Sequence, residues 1–342
     1  MINKDFRSDL DEVDRGLIKE LQADPRRSNL EMASKLGINA ATVSRRLRRL
    51  CDGRVIHIIG IATSIALGYH TSAFIAINVE PGGLDFVVDK LASLPEIRAI
   101  NTTAGRYDVF VWVTCRDLAD LHTFLTKKLG AVPGIRDTDV MIILKNVKSS
   151  FGLSVDDMAT SPKDLDSLDL ALIKELEADG RLNNSQLAKR LRISWRSVRS
   201  RLERLVGEGI LQFAAIPSPY SLGHEVEVLV LIKAELRRID DVAQTVAGFT
   251  EIEIIVVSMG RFQIIALASF RDSKHMYDFL RNKLGAIHGI MSHEILISLG
   301  ATQAFPQQLA DDRQPLRWKT PAVADRNRRW ARRPDLENQR RP

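Results

Sequence analysis

Apolar residues in the first fifty positions recur at helical rather than strand spacing. Leu17, Ile18 and Leu21, preceded by Asp11 and Asp14, mark one face of a first helix that Pro25 stops. Ser28 is placed to cap a second helix carrying Leu30, Ala33 and Leu36, and Gly37 supplies a turn. Asn39 is placed to cap a third helix with Val43, Leu47 and Leu50 on one face. Helix, helix, glycine-containing turn and helix form a helix-turn-helix pattern. Arg54, Val55 and Ile56 then begin an extended segment that leads to Leu67-Gly68.

The pattern beyond that point changes to strand, helix, strand, strand, helix, strand. Residues 73–79 read as a strand, and Pro81-Gly82-Gly83 follows. Leu84, Val87, Val88, Leu91 and Leu94 predict a helix ended by Pro95. Strands at 97–103 and 107–114 are joined through Ala104-Gly105-Arg106. Leu118, Leu121, Leu125 and Leu129 predict one further helix, and Pro133-Gly134 turns the chain into a strand at 138–144. This order is the split βαβ, ferredoxin-like arrangement. The strand at 107–114 is apolar on both faces, with Val109, Val111 and Val113 on one and Phe110 and Trp112 on the other. Two helices can cover only one face of such a sheet, so the other face is expected to meet a second sheet.

The whole pattern then occurs again at a constant offset of 155 residues. Ile18-Lys19-Glu20-Leu21 returns as Ile173-Lys174-Glu175-Leu176, Leu67-Gly68 as Leu222-Gly223, and Gly105-Arg106 as Gly260-Arg261. Leu129-Gly130 returns as Leu284-Gly285. A period this long marks a duplicated module rather than a solenoid, whose repeats run at roughly 20–50 residues. The expected fold class is α+β, two repeats, each a winged-type helix-turn-helix followed by a ferredoxin-like βαββαβ domain. The expected domains are 1–60 and 61–146 in the first repeat, a linker at 147–164, 165–215 and 216–300 in the second, and a tail at 301–342.

Charge adds to this picture where it clusters. The formal net charge is +6, yet residues 313–342 hold ten Arg or Lys and three Asp or Glu, a net of +7. That tail lacks periodicity and reads as a disordered basic segment. Within the body, Arg45, Arg46, Arg48 and Arg49 sit on the third helix, and Arg196, Arg199, Arg201 and Arg204 sit on its counterpart. No apolar run approaches the roughly 18 residues that span a membrane. Two cysteines, Cys51 and Cys115, make no disulfide framework, and the chain reads as cytoplasmic with no metal or cofactor site. His288, His293 and Glu294 are the nearest approach to a metal cluster, and the first repeat does not reproduce their spacing.

In these residues the chain resembles the Lrp/AsnC family of bacterial transcription regulators, and it does so twice. The first half carries Leu10-Asp11 with Asp14, Leu36-Gly37-Ile38, Val43 with Arg46-Leu47 and Leu50, Leu67-Gly68, Gly105-Arg106-Tyr107-Asp108 and Pro133-Gly134-Ile135. The second carries Asp169, Asp179-Gly180-Arg181, Leu187-Ala188, Val198, Arg201-Leu202-Glu203-Arg204-Leu205, Leu222-Gly223, Gly260-Arg261 and Gly289-Ile290. The resemblance covers about residues 10–300. It implies a DNA-binding head and an effector-binding RAM domain in each half, with double-stranded DNA as partner, a small effector such as an amino acid, and further association of chains into a homo-oligomer.

A recognition helix turns its apolar face to its own domain and its polar face to the bases. In the first half this leaves Asn39, Thr42, Ser44, Arg45, Arg46 and Arg49 for DNA, with Asn39, Thr42 and Arg46 placed for base edges. Arg48 and Arg49 suit phosphates, which position without specifying. In the second half Ser194, Trp195, Ser197 and Arg201 are placed for bases, and Arg196 and Arg199 for phosphates. The two helices differ outwardly, so an asymmetric site is expected. Arg192 stands where the first half has Gly37, and a positive φ there would strain it. Between paired RAM domains the resemblance places an effector at Gly105, Arg106, Tyr107 and Asp108; Gln263 replaces the acid in the second half. RAM pairing within one chain or between two chains remains open at this level, and effector binding is expected to shift the spacing of the heads.

Two other classes compete with a sequence-specific regulator. Siroheme decarboxylases are similar in architecture, but they carry a His-containing strand entry where this chain has Gly105-Arg106-Tyr107-Asp108, and the arginine-rich helices favour DNA. A non-specific nucleoid-organising protein of the same fold would differ in weak sequence preference.

Overall fold

A computed structural model describes residues 10–53, 55–149, 164–218, 222–303 and 316–319. The first unit opens with α1 (Glu12–Ala23), α2 (Asn29–Leu36) and α3 (Ala40–Asp52). Each start has a local cause. The carboxylate of Asp11 accepts the Asp14 N–H at 2.9 Å, Ser28 and Glu31 form a reciprocal capping box, and Asn39 accepts the Thr42 N–H at 2.7 Å. Gly37 ends α2 in the left-handed region at φ +63°. Leu17, Ile18, Leu21, Met32, Val43, Leu47 and Leu50 close the core. Leu30 was expected inside but is 74% exposed. Helical residues advance about 100° each, which sets Leu30 roughly a third of a turn from the Met32–Ala33–Leu36 face.

The first unit continues with β1 (Ile56–Ala62), β2 (Thr71–Val79), α4 (Leu84–Ala92), β3 (Ile97–Ala104), β4 (Val109–Cys115), α5 (Leu118–Thr123) and β5 (Ile135–Ser149). The single helix expected through Leu129 is α5 followed by a π turn, Phe124–Lys128, and a 3-10 turn, Leu129–Ala131. The wider turn shifts the phase. Leu121, Phe124 and Leu129 are buried in consequence, while Leu118 is exposed.

The second unit repeats the series as α6 (Ser167–Ala178), α7 (Asn184–Leu191), α8 (Trp195–Gly207), β6 (Leu211–Pro217), β7 (Val226–Ala234), α9 (Ile239–Ala247), β8 (Ile252–Met259), β9 (Ile264–Phe270), α10 (Ser273–Asn282) and β10 (Ile290–Gln303). Arg192 ends α7 at φ 55° and ψ 40°, the conformation Gly37 has in the first unit. Among the described residues it is the one non-glycine with positive φ. An L side chain there costs about 1 kcal/mol or somewhat more. Arg192→Gly is therefore expected to stabilise the second helix-turn-helix by about 1 kcal/mol, read as a higher urea midpoint; an unchanged or lower midpoint would show that the side chain compensates for its backbone.

The strand order is β3-β4-β2-β5 in one unit and β8-β9-β7-β10 in the other, all antiparallel. β5 pairs with β2 as far as Ile142 and then with β8, from Ile142 opposite Met259 to Ser149 opposite Ile254. β10 pairs with β7 as far as Ile297 and then with β3. Each long strand leaves its own sheet for the other, so the two sheets close into a ring. One sheet face carries the helices over Val109, Val111 and Val113. The facing sides share a core of Ala76, Tyr107, Phe110, Met141, Leu229, Leu231, Phe262, Ile265 and Leu296. The two apolar faces read from β4 have found the two covers they required.

β1 and β6 pair with each other, Ile59 opposite Ala214, so the strand after each helix-turn-helix finds its partner in the other unit. Ala62 packs among Leu172, Leu176 and Leu202 of the second head, and Ala215 packs into the core of the first. The stretch expected as linker begins within β5, and residues 150–163 lie outside the described residues. In the stretch expected as a disordered tail, 301–303 belong to β10 and β11 (Leu316–Lys319) pairs with it; 304–315 and 320–342 lie outside the described residues.

Candidate functional site

The third helix of each unit is held to the first by a buried acid. Asp14 is fully buried and receives Arg46 Nη1 at 2.9 Å and Arg49 Nη2, while Asp11 receives Arg46 Nη1 at 2.6 Å. The second unit reproduces this with Asp169, Arg201, Arg204 and Asp166. The carboxyl of Asp11 lies below its ordinary value because of the Asp14 N–H and then Arg46; Asp166 is lowered in the same way by the Asp169 N–H and then Arg201. Arg46 and Arg201, placed at base edges by the sequence reading, thus have their guanidinium groups turned into their own domain. Their geometry makes them anchors of α3 and α8. Arg49 shares that anchor and stays 45% exposed along its side chain.

Asn39, Ser44 and Arg45 are exposed along one side of α3, with Thr42 partly so. Ser194, Trp195, Arg196 and Arg199 are exposed on α8, with Ser197 partly so. The Asn39 and Ser194 side chains cap their helices, Ser194 Oγ accepting the Ser197 N–H at 3.1 Å. Arg199 bonds Glu203 at 2.7 Å and lies over the Trp195 ring.

The heads touch directly. Arg26 Nη2 donates to the Leu182 carbonyl at 3.0 Å and its guanidinium lies 4.6 Å over the Phe213 ring. Arg181, its repeat equivalent, donates to Asn29 Oδ1 at 2.9 Å. The Gly180 N–H donates to the Ile58 carbonyl at 2.8 Å. A Cβ on Gly180 would lie 2.7 Å from the Ile59 carbonyl carbon.

The second head and the first sheet are coupled through the attraction between Glu177 and Arg98. Arg98 is buried, donates from Nε to Thr114 Oγ1 at 2.5 Å, and lies 5.3 Å over the Tyr69 ring. Glu177 on α6 has an Oε1 with no partner, and burial, partly offset by the attraction of Arg98, pushes its carboxyl up to about 8 from 4.5. The folded value lies above the ordinary one, so the neutral acid is the form that the fold favours. Its stabilisation is complete below about pH 4.5 and is lost as pH rises through about 8. Glu177→Gln is expected to melt higher than the parent above pH 8 and to match it in acid. Identical melting profiles across that range would sink this account.

The loop between β3 and β4 lies against the opposite unit. Gly105 has φ +148°, and a Cβ there would lie 3.0 Å from the Ile295 carbonyl oxygen of β10. Gly260 makes the same approach to Val140 of β5. The glycines admit a neighbouring strand. Tyr107 is buried and its hydroxyl donates to Asp139; burial first, then that carboxylate, pushes it up to about 12. Asp108 accepts the Val79 N–H at 2.8 Å, and Gln263 in its place accepts the Ala234 N–H at 3.3 Å. Arg106 lies 3.6 Å from Glu294, and Arg261 lies 3.8 Å from Asp139 and 3.9 Å from Glu294. Arg261 Nε and Glu294 Oε2 are buried without a hydrogen bond, although Glu294 Oε2 lies in ion-pair range of Arg106. Asp139, Arg261 and Glu294 join the site only through the fold. The signal for them was faint: Asp139 and Glu294 occupy the same repeat position but differ in residue type.

Among the described residues no three His, Cys, Asp or Glu side chains come together as metal ligands, and no helix is long and apolar enough to cross a membrane.

The pattern of the Lrp/AsnC ligand binding domain matches residues 72–153 and 227–306. The AsnC-type helix-turn-helix domain matches 10–50, and a winged helix-turn-helix DNA-binding pattern matches 165–212. An uncharacterized HTH-type transcriptional regulator of Pyrococcus abyssi is 36% identical over 135 residues, 39% of this chain and 85% of that protein. An HTH-type transcriptional regulator of Pyrococcus horikoshii is 35% identical over 151 residues, 44% of this chain and 99% of that protein. Such relatives match one unit of the duplicated pair. Among solved structures, the siroheme decarboxylase NirDL superposes with a TM-score of 0.59 at 18% identity, covering 85% of this chain and 92% of that one. At that identity the likeness is one of fold, and it extends over both units.

Proposed function

This chain belongs to the Lrp/AsnC family, and on that premise we propose that it is a sequence-specific transcription regulator carrying two unlike DNA-reading heads on one chain. The observation that carries this reading is the pair of anchored third helices. Each is pinned from behind by a buried aspartate and presents a polar, cationic face outward. Asn39, Thr42, Ser44 and Arg45 read bases on the first head, Trp195 and Ser197 read them on the second, and Arg196 holds a phosphate there. Arg48 and Arg49 hold phosphates. Apart from the shared Arg49 and Arg204, the outward residues of the two heads differ, so the site is asymmetric.

The two RAM domains act as an intramolecular pseudo-dimer, a reading supported by the strand exchange of β5 and β10. Chains associate further as homo-oligomers. A small zwitterion such as an amino acid binds beside the loop at Gly105–Asp108, where Arg106 and Arg261 face Asp139 and Glu294. Two cations and two carboxylates, with Arg261 Nε and Glu294 Oε2 buried and making no hydrogen bond, suit a ligand that bears both charges. Asp108, engaged with Val79, positions the loop.

The test is a gel shift of the intact chain on DNA upstream of its own gene, with non-specific competitor and a salt series. A discrete complex that survives competitor and protects an asymmetric site is expected. Smearing abolished by competitor would mean non-specific binding through backbone charge. No binding would turn attention to tetrapyrroles, the ligand class of the enzyme that shares the fold.

A further inference from the structure

We propose that the second head reads a thymine through its methyl group, with the Trp195 indole as the reading surface; this rests on the DNA-reading assignment of the heads. Trp195 is the first residue of α8, directly after the Ser194 cap. The N-terminal residues of a recognition helix are those that reach base edges. The indole is 47% exposed, and the repeat-equivalent residue of the first head is Ala40, so this apolar surface belongs to one head alone.

The cation beside it is tied down behind the ring. One turn along, the Arg199 guanidinium lies 5.6 Å from the ring centroid, and Arg199 Nε is bonded to Glu203 at 2.7 Å. The arginine is folded back along the helix as a stacked plate, not extended toward a phosphate as its sequence position suggested. Ser194 is occupied as the cap. What the leading end of α8 presents is a flat apolar plate with a cation behind it. In the major groove the one apolar group on a base edge is the C5-methyl of thymine, which apolar side chains recognise by contact. Burying that methyl against the indole removes both from water. Ala40, whose side chain is a single methyl, offers far less area for the same contact.

The experiment selects sites from a random duplex pool with the intact chain, then replaces each thymine of the selected site by uracil in turn. One thymine in the second half-site is expected to weaken binding about fourfold when its methyl is removed. Trp195→Ala should lose that single difference and relax selection at that position, and Trp195→Phe should keep it. Binding that is specific but indifferent to every uracil replacement overturns the proposal and leaves the DNA reading standing. A Trp195→Ala chain that selects the same DNA but changes its state of association would assign the indole to a protein contact, and overturns it too. Failure to enrich any site overturns both.

Discussion

Asp14→Asn is expected to destabilise the first head by about 3 kcal/mol, near the lower end of what breaking a buried ion pair costs. Asp14 is fully buried, and two guanidinium groups converge on it. Asparagine keeps the shape and removes the charge, so Arg46 retains only the half-exposed Asp11 and Arg49 loses its partner. With the buried anchor gone, α3 is held chiefly by the packing of Val43, Leu47 and Leu50 and by the Arg46–Asp11 pair. The expected result is a lowered urea midpoint and loss of protection at one half-site only. Asp169→Asn should do the same at the other half-site, and the two effects should add, because the residues sit in separate cores. Equal loss at both half-sites from either change would defeat the two-head reading.

Gly180→Ala is expected to cost a similar amount, about 3 kcal/mol, through overpacking. The added Cβ would meet three backbone atoms of Ile59, its N, Cα and carbonyl C, at 2.7–2.9 Å. Ile59 cannot retreat easily, since β1 is paired with β6 on its other side. The change should also break the bond from the Gly180 N–H to Ile58 and loosen the second head from β1. Affinity for the complete site should fall steeply, while isolated half-sites are still bound. The check is a titration of whole and divided sites by both proteins. Unchanged affinity for the whole site would mean that the heads are not registered by this contact. The contact also bears on regulation. The heads are joined by β1–β6, Arg26, Arg181 and Gly180. An effector that altered their spacing would have to break these contacts or turn the heads together as one body.

Much of the local structure was legible in the chain. Asp11, Ser28 and Asn39 cap the helices they precede, because a cap is a contact between residues three apart. The αL requirement at Arg192 was readable from Gly37 in the other repeat. The second cover on β4 followed from counting apolar faces. What failed were readings that relied on spacing without partners. Leu30 and Leu118 kept helical spacing yet lie exposed. Arg46 and Arg201 were assigned outward because nothing local revealed the acids 32 residues before each.

By itself the sequence determined that there are two units, the order of helices and strands in each, where the capped helices start, and that their sheets need a second cover. These depend on periodicity and on contacts a few residues long. The tertiary structure alone decided that β5 and β10 cross between sheets, that β1 pairs with β6, that Asp14 and Asp169 hold the reading helices, and that Asp139, Arg261 and Glu294 meet beside Tyr107. A strand's exposed backbone and a buried charge each require a partner, but neither specifies it locally. Only when the two units close on each other do groups tens to hundreds of residues apart become the nearest that can satisfy them.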